Sequence, residues 1–307
     1  MKLNAAACEI AESSISEADR YRLTVTSVGP ARLVDCREGG LDVGMMLSRV
    51  GLAGLADVAI GSDDLGPTVI VRTDQPVLAC LASQYAGWQV SHEQYFAMGS
   101  GPMRAIAARE KIFDSIPGRE SHPHAIGVLE TKKPPTGAVV ESMMAKLPDV
   151  QRLTLLFAPA SSLPGTIQVV ARSVETALHK LHELQFDVNS IVAGFGVAPL
   201  PPVARDEMTA IGRTNDAILY GGRVTLWVKC DDARIDEIGP KVPSSASRDH
   251  GRPFAEIFQR YGNFYEIDPL LFSPAVVTFV NLSTGRSVSF GERRPDLLER
   301  SFRGGVK

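Results

Sequence analysis

The feature that most constrains this 307-residue chain is its alternation between two periods of hydrophobic patterning. Apolar residues that recur every three to four positions, as an amphipathic helix requires, are interleaved with short β-branched and aliphatic runs of the kind that form strands. Such alternation is the pattern of α/β layers in which helices cover a sheet. In the first half it predicts strands at 23–28, 32–36, 58–60, 69–72 and 124–129, with helices at 44–50, 76–85 and 102–109. In the second half it predicts strands at 153–157, 190–193, 217–220 and 224–228, with helices at 164–184, 202–211 and 254–261. Two β-rich runs around Ser283-Thr-Gly285 predict a C-terminal hairpin. Thr131-Lys-Lys-Pro-Pro-Thr-Gly137 is the best candidate for a connection between halves, which divides the chain into 1–135 and 136–307.

Composition narrows the class of protein. With 44% hydrophobic residues the chain can fill a substantial core, and a formal net charge of −3 exerts no long-range pull on nucleic acid or an anionic membrane. The longest apolar runs fall far short of a bilayer span, and the acidic N-terminal stretch reads as an amphipathic helix, so a cytoplasmic location is expected. Four dispersed cysteines with no Cys-x-x-Cys pair fit reduced structural thiols.

The densest chemistry lies in the segment Ser162–Leu184. Its apolar positions repeat at helical spacing, and at about 100° per residue Arg172 and Glu175 leave the same side, with His179 and His182 continuing the row. Three readings are open. The pair is an ordinary i,i+3 ion pair on a solvated face. Alternatively, Glu175 sits in a closed cleft where desolvation makes it a usable base, while Arg172 opposes that shift and orients it. In the third, Glu175, His179 and His182 are metal ligands of a hydrolase.

Elsewhere, the turn at Ser100 and Gly101 with Arg104 could receive an anion on backbone N–H groups, or could be a structural turn. Gly194-Phe-Gly196 lacks the third glycine of a dinucleotide fingerprint, and neither a phosphate-binding P-loop nor a nucleophile elbow occurs. Polar segments around Ser83, Gln84 and Trp88, around Thr214, Asn215 and Asp216, and around Arg248 and Asp249 read as loops at element ends, where α/β proteins place ligands. Their amides and carboxylates suit the edge of a heterocycle, and Trp88 or Tyr85 suits its face.

Taken together, Asp74-Gln-Pro-Val-Leu-Ala-Cys-Leu-Ala-Ser-Gln-Tyr-Ala-Gly-Trp88, Tyr95-Phe-Ala-Met-Gly-Ser-Gly-Pro102 with Arg104, Gln168-Val-Val-Ala-Arg-Ser-Val-Glu175, Gly212-Arg-Thr-Asn-Asp216, Ser247-Arg-Asp-His-Gly251 and Ile267-Asp-Pro-Leu-Leu-Phe-Ser-Pro-Ala275 run in order through nearly the whole chain. They resemble the methenyltetrahydromethanopterin cyclohydrolase family. The resemblance implies two α/β halves with mixed sheets flanking a central cleft, a homotrimer, and reversible hydrolysis of a methenyl bridge on a reduced pterin to a formyl group. No metal and no cofactor is implied; tetrahydromethanopterin, or a dephospho form of it, is the one-carbon carrier substrate. Glu175 matches the family's catalytic carboxylate and Arg172 the arginine before it. Ser83, Gln84, Trp88, Ser100, Gly101, Arg104, Thr214, Asn215, Asp216, Arg248 and Asp249 are the expected substrate-binding positions. One departure is the abbreviated segment Asp35–Asp42, which motivates a competing reading as a non-catalytic pterin-binding paralogue.

Overall fold

The computed structural model describes residues 2–262 and 266–303. It is mixed α/β, and the chain folds as two compact units, one from Met1–Ala56 with Val77–Gln168 and the other from Asp57–Pro76 with Val169–Lys307.

The first unit opens with α1 (Leu3–Ile15), α2 (Ala18–Tyr21), β1 (Thr24–Val28), β2 (Ala31–Asp35) and α3 (Leu41–Gly51). The chain then contributes β3 (Asp57–Asp63) and β4 (Gly66–Thr73) to the second unit. Back in the first unit come a π-helix (Val77–Gln84), β5 (Trp88–His92), β6 (Tyr95–Ser100), α4 (Met103–Ala107), β7 (His124–Glu130), α5 (Gly137–Met144), β8 (Arg152–Ala158) and, at the unit boundary, α6 (Leu163–Val170). The sheet order is β1-β2-β8-β7-β6-β5, with β8 parallel to both β2 and β7 and the other pairs antiparallel.

The central strands read as unbroken apolar runs because both faces are covered. Successive residues go to opposite sides: Leu33, Ala125 and Leu155 pack with Val139, Val140 and Met143 of α5, while Val34, Ile126 and Leu156 pack with Ala7 of α1 and Leu47 and Val50 of α3.

The second unit adds α7 (Ser173–Glu183), β9 (Ile191–Pro199), α8 (Glu207–Gly221), β10 (Arg223–Val228), α9 (Asp232–Ile238), α10 (Phe254–Tyr261), β11 (Val276–Asn281), β12 (Ser287–Gly291) and α11 (Pro295–Arg303). Its sheet order is β12-β11-β10-β9-β4-β3, parallel only between β10 and β11. The expected C-terminal hairpin is the β11/β12 pair. Leu219, Tyr220, Phe254, Ile257, Leu271, Leu297 and Leu298 form a core joining α8, α10 and α11.

Several elements differ from those expected. The run Ala217–Tyr220 lies inside α8 and is not a strand, and that helix begins at Glu207, not near 202. A short buried apolar run has no period that separates helix from strand, and α8 is buried there by its packing against β9, α10 and α11. Residues 88–100, to which the periodicity assigned no element, form the β5/β6 hairpin. Residues 77–84 coil as a π-helix, and the single helix expected over 164–184 is two helices, α6 and α7. Thr131–Gly137 runs from β7 to α5 inside the first unit; Thr136 caps α5 by accepting from Val139 N–H, so the Pro-Pro-Gly signal marks a helix entry.

Candidate active site

The break between α6 and α7 positions the Arg172–Glu175 pair. Arg172 N–H bonds back three residues to Val169 O at 3.1 Å, ending the first helix, and Arg172 O accepts from Thr176 N–H at 2.9 Å to start the second. Arg172 is therefore the N-cap of α7 and Glu175 lies in its first turn, where the positive end of the helix dipole favours a carboxylate. Arg172 is 7% and Glu175 4% exposed, and Arg172 Nη1 is 4.0 Å from Glu175 Oε2. The pair is thus buried, unlike a solvated surface ion pair.

Glycines in β9 let this turn approach the sheet. A Cβ at Gly196 would lie 2.4 Å from Ser173 Oγ, and one at Gly194 would lie 2.8 Å from Val174 Cγ1. The Gly-Phe-Gly run that failed as a dinucleotide fingerprint thus serves close helix–strand packing beside Glu175.

His179 and His182 do not complete a ligand set with Glu175. They are partly exposed and lie toward Glu183, at 3.9 Å and 3.8 Å. Among the described residues no group of three or more His, Cys, Asp or Glu side chains is placed to hold a metal ion. Sequence reasoning passed over Lys180 on the same helix. It is 2% exposed, its Nζ donates to Leu270 O, and burial pushes it down to about 8 against the pull of Asp268. Its helical neighbours Thr176, Ala177, Glu183 and Leu184 are mixed in polarity, so nothing local marks it as buried.

Asp268 continues the connection. Its Oδ2 accepts from Ser247 Oγ at 2.7 Å and from Arg248 N–H at 3.2 Å, and its own N–H donates to Asp249 Oδ2 at 2.9 Å. Asp249 Oδ1 accepts from Tyr261 Oη at 2.7 Å. Helix α7 and the Ser247–Asp249 segment are tied together through the Asp268–Leu270 segment.

Residues 212–216 are not a loop. They are helical, Thr214 Oγ1 donates to Ala210 O at 2.9 Å, and Asn215 Nδ2 donates to Ile211 O at 2.8 Å. Thr214 is 1% exposed, and its hydroxyl bonds within its own helix. Asp216 is fully buried; its Oδ1 accepts from Phe254 N–H at 2.8 Å, which caps α10, and burial pushes its carboxyl up to about 7.

In the first unit the expected residues meet at the end of the π-helix. Gly101 N–H donates to Ser83 O at 2.8 Å, and Arg104 Nη1 donates to Leu81 O at 2.9 Å and Ser83 O at 3.1 Å. Arg104 Nε binds Glu110 Oε1 at 2.8 Å, and its guanidinium lies 5.0 Å from the Tyr85 ring centroid and 5.4 Å from that of Phe113. Of the two readings open for this turn, an anion cradle or a structural turn, these bonds are those of a structural turn. A helix C-terminus leaves carbonyls without partners, and these donors are committed to them. Trp88 packs with Val90, Tyr95 and Met103 in the core. Ser83 Oγ donates to Gly51 O at 2.6 Å and Ser100 Oγ to Val128 O at 3.4 Å. Gln84 is buried beside them.

Among the described residues no helix is long and apolar enough to cross a membrane. The pattern of the family described as cyclohydrolase (MCH) matches residues 2–302. Relatives named methenyltetrahydromethanopterin cyclohydrolase include one from Rhodopirellula baltica, 46% identical over 98% of this chain and 94% of its own length. Another from Methylobacillus flagellatus is 42% identical over 94% and 91%, and one from Methanococcoides burtonii is 39% identical over 90% and 89%. The chain belongs to the MCH cyclohydrolase family.

Proposed function

We propose that the protein is a methenyltetrahydromethanopterin cyclohydrolase, with Glu175 moving the proton of the attacking water and Arg172 orienting it. The observation that carries this reading is the buried pair in the first turn of α7, within a chain that matches the family over nearly its whole length. The methenyl carbon lies between two nitrogens in an amidinium cation and is already electrophilic, so catalysis needs mainly a positioned, partly deprotonated water. Glu175 accepts one proton as the water oxygen bonds to that carbon. It returns this proton to the ring nitrogen as the carbon–nitrogen bond breaks, while the hydroxyl proton is released and the formyl group forms.

A carboxylate beside the cation also stabilises bound substrate, but only stabilisation that grows toward the transition state accelerates the reaction. Proton transfer, not charge pairing alone, is therefore the role assigned to Glu175. Arg172 holds the carboxylate's orientation at the helix start. Gln84, Ser100 and Gly101, braced by Arg104, are proposed to shape a substrate-facing wall, Arg248 and Asp249 to contribute polar contacts, and the assembly to be a homotrimer. The test is spectrophotometric: purified protein stripped with chelator should discharge the methenyl chromophore of the methanopterin carrier. A stable chromophore with saturable binding would instead identify a non-catalytic binding protein.

A further inference from the structure

The segment that follows Ser247 in the second unit builds a cleft of about 240 Å³, lined among others by Arg248, Arg252, Arg260, Asp249, Glu256 and Tyr261. It is smaller than the pockets that enclose whole cofactors and suits a single polar group. Its two carboxylates are already engaged. Asp249 accepts from Tyr261 Oη and Asp268 N–H, and Glu256 Oε1 is held by Arg300 Nη2 at 2.6 Å. Among the described residues the guanidinium groups of Arg248, Arg252 and Arg260 donate no hydrogen bond and enter no ion pair, although Arg260 lies over the Tyr261 ring at 5.4 Å. Three cations thus line a small space in which Glu256 is paired with Arg300 and Asp249 has both its oxygens hydrogen-bonded by neutral donors.

The backbone beneath them is fixed. Tyr220 Oη donates to Arg252 O at 2.5 Å and accepts from Gly251 N–H at 3.3 Å, and Asp216 caps α10, which carries Glu256, Arg260 and Tyr261. Buried side chains of α8 therefore hold the arginine-bearing segments in place before any ligand arrives. Guanidinium groups present planar, forked donors that match tetrahedral oxyanions. We infer that this cleft is a binding site for a phosphate-type oxyanion. The oxyanion is either a group carried on a larger ligand or free phosphate, and the site stands whether or not the assignment of Glu175 does.

The test uses the full-length protein and inorganic phosphate, titrated calorimetrically at low ionic strength. Arg252→Gln combined with Arg260→Gln should weaken phosphate binding at least about tenfold, the cost of losing charge-assisted hydrogen bonds. Arg72→Gln, which alters an exposed arginine of β4, should leave it unchanged. Because neither cleft arginine's side chain makes a hydrogen bond among the described residues, the thermal midpoint of the double variant without phosphate should match the parent. No phosphate binding, or equal binding by parent and double variant, overturns the site. Two supporting outcomes separate the sources of the anion. If it belongs to the pterin carrier, phosphate raises the KM for the carrier in the parent and loses that effect in the double variant; if it is free phosphate, binding leaves the KM unchanged.

Discussion

Replacing Arg104 by methionine should destabilise the first unit by about 3–5 kcal/mol, the range for breaking a buried, hydrogen-bonded charge. The side chain is wholly buried, and methionine fills much of its volume, so the loss comes chiefly from polar groups. Leu81 O and Ser83 O lose a charged donor, each such bond contributing about 1.5–3 kcal/mol. The Glu110 side chain keeps 21% of its exposure and can turn to water, so its share is discounted. Arg104→Lys should lose roughly half as much, because one ammonium group can keep one carbonyl but not span both. Urea unfolding reads this directly, since Trp88 lies in the first unit and Trp227 in the second, and a Trp227→Phe background reports on Trp88 alone. A loss below about 1 kcal/mol for the methionine variant, or equal losses for both, would refute the view that Arg104 braces the end of the π-helix.

Three further outcomes follow from the same coordinates. Gly101 has φ +93° and a Cβ there would lie 3.2 Å from Gly127 Cα, so Gly101→Ala should lower stability by about 1–3 kcal/mol, seen as a reduced thermal midpoint. Gly196→Ala would place a methyl 2.4 Å from Ser173 Oγ and displace the first turn of α7, so turnover should fall more than the thermal midpoint does. Asp216 carries a pH dependence of known sign. Its folded carboxyl is raised from 3.8 to about 7 by burial, so its contribution is fully present below about pH 4 and declines as pH rises to about 7. Asp216→Asn keeps an acceptor for Phe254 N–H and removes that decline; the stability difference from the parent should grow across this window, and a flat difference would contradict the burial argument.

The alternation of periods made the α/β class legible, as it did the parallel core strands, where apolar runs at 124–129 and 153–157 are long enough to stand out. It failed where local pattern was ambiguous. Ala217–Tyr220 is apolar in every position because α8 is enclosed on several sides, and nothing local distinguishes that from a buried strand. The α6/α7 break left no proline or glycine at Ala171 or Arg172, yet it is what places Glu175 in a first turn and not in mid-helix. At the site, spacing alone left a solvated ion pair open beside a buried catalytic pair. Burial of Arg172 and Glu175 depends on glycines about twenty residues onward in β9, a relation that only folding reveals. Arg104 was marked by a motif that fits an anion cradle or a structural turn equally; its partners are carbonyls of a π-helix whose wide turn has no distinctive sequence period.

The most direct test of the central assignment is the turnover of Glu175→Gln, measured by loss of the methenyl chromophore and paired with its thermal midpoint. Glutamine preserves shape and burial but cannot take the water's proton, so kcat should fall by about a hundredfold or more, the scale of general base catalysis, with the fold intact. A variant that folds as the parent does and turns over within about threefold of it would show that Glu175 does not move that proton.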